Sequence, residues 1–242
     1  HGTIGYMADI QNITRADCQR YFEENYVGSN MVVTVVGDVY LDDVKDFADE
    51  YFSDIPAGTP EPMETFEPEQ LVAKRLVMKD PSQPIFGLGY HIENVRHPDW
   101  PVYEVIADVL GQGRTSRLYK DLVKDKKIAV QAMCFPGFPG QKYQTGMIFL
   151  AIPVKGKTGY DMEEAVLAQV DQIIAEGITE QELEAVKKRA RASFIRGLRG
   201  NGGMASQLAW YQTYFGDWRE LFNAAERIEA VTLDDVKRVA AK

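Results

Sequence analysis

The sequence predicts an α+β protein in which an antiparallel β-sheet is covered by helices on one face. Three observations predict it. Short apolar segments of strand-like composition, such as "PIFGLGYHIE", "IAVQAMCF" and "TGMIFLAIPV", come in neighbouring pairs. The segments between and after them repeat their apolar residues at helical spacing. The stretch "IQNITRADCQR" at residues 10–20 returns as "IEAVTLDDVKR" at 228–238, which points to two copies of one module.

The repeat sets the organisation of the chain. One constant offset pairs Ile10 with Ile228, Thr14 with Thr232, Asp17 with Asp235 and Arg20 with Arg238. Thr14 and Thr232 read as helix N-caps, each with a carboxylate three residues later facing the positive end of the helix dipole. Two unrelated capped amphipathic helices would also look alike, and this stretch alone leaves both readings open. After the first copy, "MVVTVVGD" at 31–38 reads as a buried strand ending in a turn. By the offset, the matching strand of the second copy would follow Lys242, and roughly 150 residues would precede His1. The reading is therefore of duplicated domains truncated at both ends. Residues 1–56 are the end of a first domain, 57–71 a linker rich in proline and glutamate, and 72–242 a second domain.

The remaining elements follow in order. Helix 14–26 precedes the strand at 31–37. Helix 41–52 places Leu41, Val44, Phe47, Ala48, Tyr51 and Phe52 on one face. "LVAKRLVMKD" and "PIFGLGYHIE" are strand-like. "HPDWPVYEVIADVLGQG" is a helix with Val102, Val105, Ile106, Val109 and Leu110 as its stripe, stopped by Gly111 or Gly113. A short helix covers "TSRLYKDLVKDKK". Two strands follow, joined through "PGFPGQKYQ" as a hairpin loop. Helices then fill approximately 160–176, 179–198, 203–215, 218–229 and 232–242.

Composition excludes several functions. A net charge of -9 argues against non-specific binding to nucleic acid or to anionic membranes. No apolar run approaches the roughly 18 residues a membrane span needs. The expectation is a soluble chain, cytoplasmic or periplasmic. Cys18 and Cys134 make no disulfide framework, and Cys18 is expected as a small core residue of helix 14–26. His91, Glu93 and His97 form the one local set with metal-ligand residue types, but they fit a strand end and a helix entry better than a zinc site. There is no H-E-x-x-H, H-x-x-E-H, C-x-x-C or G-x-S-x-G. The G-x-G pairs at Gly87–Gly89 and Gly111–Gly113 complete no dinucleotide fingerprint. Lys187, Lys188, Arg189, Arg191, Arg196 and Arg199 concentrate positive charge in the second half of one helix, where cations complement the dipole. No catalytic or metal-binding residue is assigned, and the substrate-binding residues stay unknown.

Several blocks resemble the pitrilysin/insulinase family of zinc metallopeptidases. "IGYMADIQNITRADCQRYFEENYVGSNMVVTVVGDVYLDDVKDFADEYFSDIP" is similar to the end of that family's first domain. "HPDWPVYEVIADVLGQGRTSRLYKDLVKDKKIA" is similar to the start of the next, with Gly113-Arg114-Thr115-Ser116-Arg117-Leu118-Tyr119 the most specific part. "EGITEQELEAVKKRARASFI" and "GDWRELFNAAERIEAVTLDDVKRVA" are similar to its later helices. The resemblance implies duplicated α+β domains and a parent zinc endopeptidase or oligopeptidase. It also implies an H-x-x-E-H site in front of His1, so no zinc is expected on these residues. In the family's non-zinc half an arginine and a tyrosine contact substrate; the positions that match them here are Val123 and Val130. The resemblance thus implies that a second half or subunit supplies the Arg/Tyr pair and that the partner is a peptide substrate. Two alternatives compete: a non-catalytic homologue acting as a binding or assembly subunit, and a processing-type subunit using the basic helix 187–199 to grip acidic segments.

Overall fold

The computed structural model describes residues 5–60 and 70–242. Three strands build one antiparallel sheet in the order β1-β3-β2: β1 (Phe86–Ile92), β2 (Ala129–Phe138) and β3 (Thr145–Pro153). β2 and β3 form the expected hairpin, and β1 lies against the other side of β3, with Leu88 opposite Phe149. Alternation along β3 sorts the two faces. Met147, Phe149 and Ala151 are buried, and Ile148, Leu150 and Ile152 on the opposite face are half-buried. On the buried face, Cys134 pairs with Phe149 and Ala132 with Ala151.

Helices α4 (Trp100–Gly111) and α5 (Gly159–Glu176) pack on that buried face. α4 is almost wholly buried, as its Val102, Val105, Ile106, Val109, Leu110 stripe requires. Gly111 does not stop α4 by conformation. It is the last helical residue, and a Cβ there would stand 1.9 Å from the Cys134 backbone nitrogen, so glycine lets the helix end touch β2. Gly113, at φ +73, makes the turn that follows. An outer layer comprises α6 (Glu180–Gly197), α7 (Asn201–Phe215), α8 (Glu220–Ala230) and α9 (Leu233–Ala240). α6, α8 and α9 touch α4, while α7 rests on α6 and α8. Capping boxes start α5, α6 and α9 at Thr158, Thr179 and Thr232.

Residues 5–60 form local structure without a core. α1 (Met7–Asn12), α2 (Arg15–Asn25) and α3 (Leu41–Phe52) bury no residue. α2 has the expected Thr14–Asp17 capping box. Cys18, expected in a core, is exposed, as is the apolar side of α2 among the described residues. Val27 is the single buried residue among those described in 5–60. It sits under Gly58, where a Cβ would come within 2.4 Å of its Cγ1. The bonds Gly28 N to Pro56 O (2.8 Å) and Ser29 N to Ala57 O (3.0 Å) fasten this corner.

Two expected strands do not form. Residues 31–36 and 70–80 carry no regular secondary structure, and neither pairs with another strand among the described residues. β-branched composition favours an extended backbone, yet a strand also needs a neighbour to take its N–H and C=O groups. Val32, Val33, Thr34 and Val35 instead line a cavity of about 400 Å3 with Leu208, Gln212 and Trp218. Arg75 pairs with Glu163 and lies 5.8 Å over the Tyr160 ring, which holds the second segment beside the start of α5. The linker expected at 57–71 falls mainly on 61–69, outside the described residues.

Candidate functional site

The turn between α4 and β2 carries the most specific stretch of the sequence, Gly113 to Tyr119. Leu118 and Leu122 are fully buried and anchor it in the core. The chain winds from Tyr119 to Asp125 as a π-helix, a form that recurs at functional sites. This is the short helix expected over "TSRLYKDLVKDKK", wider in its winding. Lys126 N donates to Asp121 O at 2.9 Å and Ile128 N to Leu122 O at 2.9 Å, with Lys127 in the left-handed region at φ 53. These bonds fix the path from position 123 to position 130. Val123 packs against the core, and Val130 is 60% exposed at the start of β2. A valine at either place offers no proton donor and no charge.

Arg117 fastens this turn to the outer layer. Its Nε and Nη2 donate to Glu182 at 2.8 Å each, and Nη2 also donates to Gly177 O at 3.1 Å. Glu182 is at the same time the capping-box acid of α6, accepting from Thr179 N at 2.8 Å. The Arg117 hydrogen bonds, aided by the Thr179 N–H, hold the Glu182 carboxyl down at about 2. The same pairing raises the Arg117 guanidinium further. This junction was not foreseen from sequence, since its partners lie sixty-five positions apart.

The His91, Glu93 and His97 set lies at the end of β1 and the entry to α4, and two of its members have local tasks. The Tyr103 hydroxyl donates to Glu93. His97 Nδ1 accepts from Asp99 N at 3.1 Å, and His91 is exposed on the strand. Burial opposes ionisation of Glu93, but the Tyr103 bond, His97 and Lys242 outweigh it and leave its carboxyl below the usual range. Tyr103 is raised by burial and then by Glu93. Asp99, which is 6% exposed, completes the set. Arg238 reaches it through two bonds at 2.8 and 3.1 Å, Lys242 donates as well, and the carboxyl stands far below its usual range.

These residues do not fit zinc. Among the described residues, no group of three or more His, Cys, Asp or Glu is placed to hold a metal ion. Catalytic zinc takes three protein ligands with one open position. Of the His91, Glu93 and His97 set, Glu93 accepts from Tyr103 and His97 accepts from Asp99 N. The basic half of α6 is partly spent too. Arg189 pairs with Asp108 of α4, and Arg191 pairs with Glu229 of α8 at 2.8 Å.

Comparison with known proteins places this arrangement. A protease from Helicobacter pylori has a crystal structure that superimposes with a TM-score of 0.89 at 27% identity, over 98% of this chain and 57% of that one. The peptidase M16 inactive domain of Pseudomonas fluorescens superimposes with a TM-score of 0.85 at 20% identity, over 100% and 57%. Among curated proteins, the zinc protease PqqE of Helicobacter pylori is 27% identical over 98% of this chain and 54% of its own length. The chain thus spans about half the length of the curated relatives it matches. In the described residues no helix is long and apolar enough to cross a membrane. The family model described as the peptidase M16 inactive domain matches residues 12–190, and the chain belongs to that family of zinc-metallopeptidase relatives.

Proposed function

We propose that this chain supplies the second, non-zinc domain of a zinc-dependent endopeptidase of the pitrilysin type, and that it helps enclose a peptide substrate without doing the chemistry. One observation carries the reading. The whole chain follows the fold of a bacterial protease, while its described residues bring together no metal-ligand set. Zinc, with the H-x-x-E-H helix that the sequence lacks, belongs to another part of the working peptidase. Val123 and Val130 support a division of labour. The turn that would present an arginine and a tyrosine is built, but it carries two aliphatic side chains, so a second half or subunit would provide the polar pair. The peptide is expected to lie extended against a sheet edge, where main-chain bonds bind it whatever its sequence.

The alternative of a non-catalytic assembly subunit draws on the same two valines. A relative named as the mitochondrial-processing peptidase subunit beta of Blastocladiella emersonii is 22% identical over 98% of this chain. The test is metal analysis and peptide hydrolysis on the purified 242-residue chain. The expected result is zinc far below one per chain and no cleavage of an unstructured fluorogenic peptide. Stoichiometric zinc that is lost in His91→Ala, or hydrolysis blocked by a chelator, would overturn the reading.

A further inference from the structure

α9 is eight residues long, too short to stay helical in water by itself. Two sets of contacts keep it in place. Val236 and Val239, 0% and 4% exposed, enter the core where α9 rests on α4 and α5. Arg238 and, just past the helix, Lys242 converge on Asp99 at the entry to α4. Among the described residues, no other buried carboxylate meets both cations. Lys242 lies 3.9 Å from Glu93, which already accepts from Tyr103, and Arg238 otherwise meets only Asp235 of its own helix at 3.2 Å.

The molecule contains its own control. α2 has the same capping box, with Thr14 and Asp17 in place of Thr232 and Asp235, and Arg20 stands where α9 has Arg238. Arg20 pairs only with Asp17, at 3.0 Å, and its side chain is 67% exposed. Among the described residues no buried carboxylate reaches it, and α2 buries no residue. The two helices share their local devices and differ in what lies across from the arginine.

We propose that Asp99 is a latch and α9 the strap it holds: neutralising this one carboxylate releases α9 from the groove between α4 and α5 as a unit, while the sheet and the other helices stay folded. The latch works because Asp99 is shielded from water, so its two cations lose a partner that solvent does not replace in place. Its backbone is held by the bond from Asp99 N to His97 Nδ1, which keeps the carboxylate aimed at α9. The bonds from Arg238 and Lys242 outweigh burial, which opposes ionisation, and leave the carboxyl far below its usual range.

Amide hydrogen exchange on the whole chain tests this. In the wild type the amides of 236–240 are expected to exchange much more slowly than the matching amides of α2. In Asp99→Asn, protection across α9 should fall about tenfold to a hundredfold, towards the level of α2, with a much smaller loss in β2 and β3. Unchanged protection of α9 overturns the proposal. So does an equal loss in β2 and β3, which would make α9 inseparable from the core. Should Asp99→Asn fail to fold, Lys242→Gln removes one cation from the half-exposed side and is read the same way: loosening of α9 alone supports the latch, and none or a global loss overturns it.

Discussion

α3 and α4 are each twelve residues long, and each has an apolar stripe at helical spacing. α4 buries ten of its residues and α3 none. Composition accounts for part of the difference, since α3 carries six charged residues and α4 two. It does not account for the exposure of the α3 stripe of Leu41, Val44, Phe47 and Tyr51, which depends on what stands opposite. α4 meets β2 and β3, but no paired strand is available to α3 among the described residues. Amphipathic patterning therefore makes a helix capable of joining a core without providing the core. The same holds for "MVVTVVGD", which has the composition of a buried strand and lies unpaired along a cavity.

The widest separation between the two regions should appear on truncating matched aromatic residues. Phe149, 2% exposed, fills the centre of the sheet's buried face, and Phe149→Ala is expected to cost about 3–5 kcal/mol from lost burial and a residual cavity. Phe47, 57% exposed on α3, is expected to cost less than about 0.5 kcal/mol as Phe47→Ala. Denaturant unfolding followed by circular dichroism measures both. A shift from Phe47→Ala as large as that from Phe149→Ala would mean that α3 is covered in solution, and the contrast would fail.

A smaller effect is expected at the junction of Arg117 and Glu182. Arg117→Ala leaves a partly buried carboxylate without its cation and should cost about 2 kcal/mol, less than a fully buried pair because Glu182 keeps some access to water. Its pH dependence has a definite sign. The folded Glu182 carboxyl is held at about 2, below its ordinary 4.5. Its contribution is therefore complete above about 4.5 and is lost as pH falls towards 2. Melting curves between pH 7 and pH 2.5 should show Glu182→Gln less stable than wild type at the upper end, with the two converging at the lower. Parallel curves would show that the pair has no role in acid sensitivity.

What was legible in the sequence divides along the same line. The capped helices, the hairpin and the stripe of α4 were readable because each rests on residues a few positions apart. The family resemblance was readable from blocks in order. The Arg117–Glu182 pair and the Asp99 cluster were not, because spacing says nothing about partners brought together by tertiary packing. Of the two glycines read as the stop of α4, Gly113 makes the turn, whereas Gly111 allows close contact with Cys134, a fact of packing that local spacing does not encode. Residues 31–37 and 71–80 were read as strands because composition reports a preference for extension, whereas a strand is a property of two segments. The exposed Cys18 follows from the same cause. As for the site, the turn carrying Val123 and Val130 was located by resemblance alone, because spacing within the chain does not say what faces it.

The smallest expected effect separates the two copies of the repeat most directly. Thr14 accepts from Asp17 N at 3.2 Å, and Thr232 accepts from Asp235 N at 3.1 Å, so the caps themselves are equivalent. Removing an N-cap hydroxyl costs about 1 kcal/mol when the helix it starts is part of the cooperative unit. α9 is tied to α4 and α5 through Val236 and Val239, so Thr232→Ala should destabilise the main unfolding transition by about that amount. α2 buries nothing, so Thr14→Ala should lower the helical signal of the folded state slightly and leave the main transition where it was. The two single variants, compared by melting temperature and by exchange at 15–25 and 233–240, provide the decisive measurement. Equal shifts of the main transition would place α2 in the same cooperative unit as α9. The identical capping boxes would then report identical structural roles, and the contrast between buried and unburied copies would no longer hold.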